Sequence, residues 1–170
     1  MKYIFLIIIL VISSCDTSKK TESISIGTKE TEFIEIKDFP DNLKAKNIIL
    51  AIGDGVGPNQ ITLSRIAIGG LDYRLFIDQM PYHGTSLTHS YNNVYTDSAA
   101  ASTAWSTGYK TKTRYLSLDP DKEILETIAE ILYKKGYTSG IVATSSVIHA
   151  TPAALYAHID NRYELSLIHI

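Results

Sequence analysis

The run Asn47-Ile48-Ile49-Leu50-Ala51-Ile52, closed by Gly53-Asp54-Gly55-Val56-Gly57-Pro58, constrains the fold more than any other feature of the chain. An unbroken apolar run without alternation suits a strand buried on both faces, as in a parallel sheet. The glycines end it in a turn that lets backbone and ligand approach closely. Asn59 to Ile68 then predicts a helix, ended by Gly69-Gly70. Residues 71–97 pattern weakly and read as loops and short strands. Ser98 to Thr107 is alanine-rich and helix-prone, with cap chemistry in Thr96-Asp97-Ser98 and Gly108 suited to C′. Ile124, Leu125, Ile128, Ile131 and Leu132 recur at helical spacing after Asp119-Pro120, and Lys134-Lys135-Gly136 closes that helix. Thr138 to Val147 predicts a strand, and Ala153 to Ile159 a short helix with Pro152 at its first position. This order predicts an α/β fold with a largely parallel sheet. No internal repeat is present.

Composition narrows the function. The 170 residues suffice for one domain, and 45% hydrophobic with 20% charged residues excludes disorder throughout and a polytopic membrane protein. A net charge of -2 offers no basic surplus, so no nucleic-acid partner is expected. The single cysteine excludes an internal disulfide and a multi-cysteine zinc cluster.

That cysteine stands in a telling place. Met1-Lys2-Tyr3 is a short positive start, and Ile4 to Ile12 is an apolar run of nine residues. At about 1.5 Å per residue the run falls short of the ~30 Å hydrocarbon core, so it reads as the apolar region of a secretory signal. Val11-Ile12-Ser13-Ser14-Cys15 resembles a bacterial lipobox. The resemblance implies cleavage before Cys15, lipidation of Cys15 and a place in the bacterial cell envelope, periplasmic or surface-exposed. Residues 1–14 are then the signal peptide, and 15–45 a lipid-anchored tether rich in Ser, Thr, Lys and Glu. Within it, Phe33, Ile34 and Ile36 could form a short strand, and Pro40-Asp41-Asn42 a turn.

Three places put polar groups where α/β sheets bind ligands, beyond strand ends and at helix starts. Asp54 follows the first strand, Ser98 opens a helix, and His149 and Thr151 follow the last strand, with Arg162 beyond. Singly, each has a structural alternative. Asp54 could cap a turn and Ser98 a helix. Thr151 before Pro152 could be structural, His149 a satisfied polar residue, and Arg162 a surface charge.

Taken in order, the segments resemble one family. Lys46 to Gly55 is similar to the opening strand of the alkaline phosphatases. Tyr95-Thr96-Asp97-Ser98-Ala99-Ala100-Ala101-Ser102-Thr103-Ala104 resembles their nucleophile segment, the most specific of the three. Gly140 to Thr144, His149-Ala150-Thr151-Pro152-Ala153-Ala154, Ala157-His158-Ile159 and Arg162 resemble the next signature. The resemblance implies that residues 46–164 are the N-terminal portion of an alkaline-phosphatase-like three-layer fold with a largely parallel central sheet. It also implies hydrolysis of phosphate monoesters through a phosphoserine on Ser98, with two Zn²⁺ and a Mg²⁺. Asp54 would bridge a Zn²⁺ and the Mg²⁺, Ser98 would meet Zn²⁺, and Thr151 would be a Mg²⁺ ligand. Arg162 would hold two phosphate oxygens. A serine hydroxyl needs activation, which zinc can supply. A homodimer is expected of the full-length protein.

His149 departs from the many bacterial members that carry Asp there. An imidazole suits Mg²⁺ poorly, so Mg²⁺, Zn²⁺ or Co²⁺ could fill a third metal site. A two-zinc site also needs about six further Asp and His ligands, which the family draws from later in a longer chain. The chain is therefore expected to be an N-terminal part, inactive alone. Leu165-Ser166-Leu167-Ile168-His169-Ile170 is what CTG-TCT-CTT-ATA-CAC-ATC encodes, a match to a transposase end used in sequencing libraries, so 165–170 is expected to be a non-native tail. Two alternatives remain: a phosphodiesterase of the same superfamily, and a non-catalytic phosphate-binding lipoprotein.

Overall fold

The computed structural model describes residues 26–35 and 45–165. Cys15, residues 36–44 and the segment 166–170 lie outside the described residues.

Helix α1 spans Pro58–Gly69. Pro58 sits at its first turn, where a missing N–H costs nothing. The Gln60 side chain accepts from the Gly57 amide at 3.0 Å, closing the N-terminus. A 3₁₀ turn, Phe76–Gln79, follows. Its Asp78 carboxylate receives Arg65 of α1 at 2.7 and 3.1 Å and the Leu75 amide at 3.0 Å. Residues 26–35 form no regular element and lie beside this unit. Gly27 donates to Ile66 O at 3.1 Å and Lys29 to Ile68 O at 3.1 Å. A side chain at Gly27 would collide with the α1 backbone, since a Cβ would stand 2.0 Å from Ile68 O.

Helix α2 is Ser98–Thr107, the span the sequence predicts. Asp97 caps it by accepting the Ala100 amide at 3.0 Å. Gly108 ends it in the left-handed region at φ 82°, a conformation open to glycine. Helix α3 is Ile128–Lys134 and α4 is Ala150–Ala153.

The core lies between α2 and α4. Ala99, Leu116, Ala150, Ala153 and Ala154 are fully buried, with Tyr156, Ala157, Ile159 and Leu165 against them. Alanines on both helices let the backbones approach closely, and Leu116 fills the gap. Leu116 pairs antiparallel with Ile159 through bonds of 2.8 and 3.0 Å. Leu118 pairs with Ile124 in a second isolated bridge.

Several sequence expectations need correction. Helix α3 starts at Ile128 rather than near Ile124, because Ile124 is engaged by Leu118 and the Thr127 hydroxyl caps Glu130 at 3.2 Å. Helix α4 starts at Ala150, with Pro152 inside it, and stops at Ala153. The expected strands at 47–52 and 138–147 do not form, the second run bending at Thr144 and Ser145, and no strand longer than a single bridge forms among the described residues. Nor do Phe33 and Ile34 form one. The reason is the absence of a partner: a strand needs a neighbour to take its N–H and C=O groups. Ile49 is 95% and Val142 100% exposed, so both runs lack the burial their composition calls for.

Candidate active site

The Gly53–Gly55 turn delivers Asp54 to the start of α2. Val56 N donates to Gly53 O at 3.3 Å, and Gly55 takes φ 70°. From this turn the Asp54 carboxylate reaches two hydroxyls. Thr151 Oγ1 donates to Asp54 Oδ2 at 2.8 Å, and Ser98 Oγ to Asp54 Oδ1 at 3.4 Å. The second bond is long and weak. Three segments far apart in sequence thus meet at one carboxylate. Asp54 is exposed, and Ser98 and Thr151 are half-buried.

Arg162 joins the group through Asp97. Its Nη1 lies 3.4 Å from Asp97 Oδ2, and the same oxygen accepts the Arg114 amide at 3.1 Å. Asp97 therefore caps α2 with one oxygen and holds the arginine beside Ser98 with the other. From sequence, Asp97 reads only as a cap; its place next to Ser98 is the signal for the second role. The Arg162 side chain is 13% exposed, so this ion pair is shielded more than a surface pair. His149 is exposed, and its ring finds no hydrogen-bond partner among the described residues.

The donor set fits a hard cation on one side only. Asp54, Ser98 and Thr151 offer a carboxylate and two hydroxyl oxygens, which suit Mg²⁺ and can also meet Zn²⁺. Among the described residues no group of three or more His, Cys, Asp or Glu side chains converges. These residues can therefore supply part of a metal shell but not close one.

A polar network behind the site ties its segments together. Thr103 Oγ1 of α2 accepts the Ser117 amide at 2.9 Å, and Ser117 Oγ donates to Ala154 O at 2.8 Å. The His158 ring bridges Ser117 O at 2.9 Å and Glu130 Oε1 at 3.0 Å. Thr127 Oγ1 donates to Leu155 O at 2.8 Å. Thr103, Ser117 and Thr127 are fully buried, so each hydroxyl needs its partner. This network was not read from the sequence, although Thr127-x-x-Glu130 is a capping-box pattern.

Partial burial of Glu130 works against its ionisation, yet the Thr127 amide and the His158 ring hold its carboxyl below the ordinary 4.5. A carboxyl with a lowered native pKa stabilises the fold fully above its ordinary value and loses that contribution as pH falls through the native one. Glu130→Gln should therefore be less stable than the parent at neutral pH, with the gap closing below about pH 4.5. Thermal melts across pH check this; an equal gap at pH 7 and pH 3 would count against these contacts to the Glu130 carboxylate.

The family model "Alkaline phosphatase" matches residues 45–169. The alkaline phosphatase of Escherichia coli K12 is 40% identical over 134 residues, 75% of this chain and 28% of that protein. The streptomycin-6-phosphate phosphatase of Streptomyces griseus is 40% identical over 124 residues, 69% of this chain and 28% of that protein. A crystal structure of a cold-active alkaline phosphatase from a psychrophilic Shewanella superposes with a TM-score of 0.61 at 30% identity, covering 66% of this chain and 30% of that one. The chain thus spans about 28% of the length of these curated relatives. Its fold is alkaline-phosphatase-like, and with the family match running from the Asp54 turn through Ser98 to Arg162, this chain belongs to the alkaline phosphatase family.

Proposed function

We propose that this chain is the N-terminal part of a lipid-anchored, metal-dependent phosphomonoesterase that works through a phosphoserine on Ser98. One observation carries the reading: a single carboxylate, Asp54, gathers the Ser98 and Thr151 hydroxyls. Arg162 stands by on Asp97. That set provides a nucleophile, an oxygen-rich cation shell and a phosphate clamp.

Arg162 binds two oxygens of the ester phosphate and orients phosphorus towards Ser98. Ser98 Oγ loses its proton and forms a bond to phosphorus as the ester P–O bond breaks. The alcohol leaves with a proton. Water then attacks the phosphoserine, its P–O bond to Ser98 breaks, and inorganic phosphate departs as Ser98 regains a proton. Asp54 and Ser98 would hold Zn²⁺, and Asp54 and Thr151, with His149 beside them, would hold the third metal, which Mg²⁺, Zn²⁺ or Co²⁺ could supply. When bound, such ions lower the pKa of the serine hydroxyl and of water and offset charge on the leaving oxygen. In the longer protein the runs 47–52 and 138–147 become strands of a largely parallel sheet, and a homodimer is the expected assembly.

The test is acid quench of the full-length gene product during turnover of a ³²P-labelled monoester. Label on the peptide containing Ser98 supports the reading. Tight phosphate binding without label would favour the phosphate-binding lipoprotein, and preference for diesters the phosphodiesterase.

The anchor is tested separately. Cys15→Ala should move the protein from the membrane fraction to the soluble fraction, or leave its signal uncleaved. Unchanged detergent partitioning of a normally cleaved protein would sink the lipoprotein assignment.

A further inference from the structure

Beside Arg162 stands a second arginine that the proposed mechanism does not use. Arg114 takes φ 76°, in the left-handed region that disfavours a side chain. Its amide is spent on Asp97 at 3.1 Å, and its carbonyl accepts the Arg162 amide at 3.0 Å. The two arginines are therefore backbone neighbours. Their side chains meet again at one ring. The guanidinium carbon of Arg114 lies 5.8 Å from the centre of Tyr163, and that of Arg162 lies 5.7 Å from it. Both fall within cation–π range.

Charge does not balance there. Among the described residues Asp97 is the one carboxylate paired with either guanidinium, and it pairs with Arg162. Glu164, the acid nearest in sequence, accepts from Asn161 at 2.7 Å. The Arg114 guanidinium has no hydrogen-bond or ion-pair partner among the described residues and is exposed. Lys112 is turned away onto Pro120 O at 2.7 Å. A free guanidinium is thus held within one aromatic ring of the phosphate arginine, at a backbone position where glycine would be less strained. Strain of this kind persists where the surroundings enforce it, and it is a reason to look for a role.

We propose that Arg114 forms a second anion subsite, selecting substrates that carry another phosphate next to the scissile one, with Tyr163 as its positioning residue. The proposal rests on the phosphoserine reading above. In a diphosphate ester the terminal phosphoryl sits on Arg162 and the next phosphate reaches Arg114. The Ser98 Oγ–P bond forms as the anhydride P–O bond breaks, and the departing phosphate monoester takes the proton Ser98 loses. Arg114 then neutralises charge on that leaving group.

The experiment uses the full-length gene product and two probes, inorganic phosphate and pyrophosphate supplied as its uncleavable methylene-bridged analogue, titrated by calorimetry. Arg114→Gly is the informative variant, because it removes the charge while relaxing φ, and so carries little risk of misfolding. Pyrophosphate should bind the parent more tightly than phosphate. Arg114→Gly should weaken pyrophosphate by about tenfold, the scale of a lost charge-assisted hydrogen bond, and leave phosphate within about twofold. Arg114→Lys should restore part of the loss. Tyr163→Leu should reduce the preference, read as the ratio of the two probes' affinities. Equal weakening of both probes by Arg114→Gly, or of neither, would overturn the subsite. Phosphoserine trapping on the same samples separates the two failures: no trapping in the parent rejects the proposed reaction, whereas trapping without pyrophosphate preference rejects only the subsite.

Discussion

Ser98→Ala in the full-length protein should erase the acid-stable phosphoenzyme and lower turnover by at least ~10³-fold, the scale on which losing a nucleophile acts in other hydrolases. The effect belongs to chemistry rather than folding. Ser98 is the first residue of α2, a position where alanine serves as well, and the cap comes from Asp97. The Ser98 hydroxyl contributes only the 3.4 Å contact to Asp54. Helicity and melting temperature should therefore stay close to the parent's. Some turnover can survive, since water directed at phosphorus can replace the serine. Rapid quench with labelled substrate checks the prediction; labelled phosphoenzyme in Ser98→Ala would remove Ser98 from the role.

The 170 residues alone should release no phosphate above buffer, a complete loss relative to the full-length product. Asp54, Ser98 and Thr151 supply three oxygens on one side of a cation. No cluster of three or more His, Cys, Asp or Glu side chains completes the shell among the described residues. Without bound metal nothing lowers the pKa of the Ser98 hydroxyl. Arg162, held on Asp97, can still attract phosphate, but attraction without an activated nucleophile gives no turnover. Solubility should suffer too, because Ile48, Ile49, Leu50 and Val142 stand exposed in segments without a strand partner. A chromogenic monoester assay with zinc and magnesium compares residues 16–164 with the full-length product. Turnover by the short form at even a hundredth of the long form's rate would contradict the need for further ligands.

The sequence made α2 legible to the residue, and α1 almost so. Both depend on neighbours in the chain: Asp97 caps Ala100, Gly108 supplies the left-handed stop, and Pro58 opens α1. The order of the three motifs that hold Asp54, Ser98, Thr151 and Arg162 was also legible, and the structure brings the first three side chains together. Less was legible where contacts cross the chain. Ile124 has helical spacing but pairs with Leu118, and the helical pattern over 153–159 yields to the antiparallel bond between Ile159 and Leu116.

Local chemistry thus determined where helix α2 starts and stops and where α1 opens. Those choices rest on hydrogen bonds a few residues apart, which a linear reading can trace. Tertiary structure alone decided that Asp54 touches Thr151 across 97 positions and that Asp97 serves Arg162 as well as its own helix. It alone decided that Arg114 meets Arg162 at Tyr163, and that Thr103, Ser117, Thr127 and His158 form one network. Buried hydroxyls and paired charges must find partners wherever packing brings them, and packing follows from the whole chain's burial rather than from the identity of any one residue.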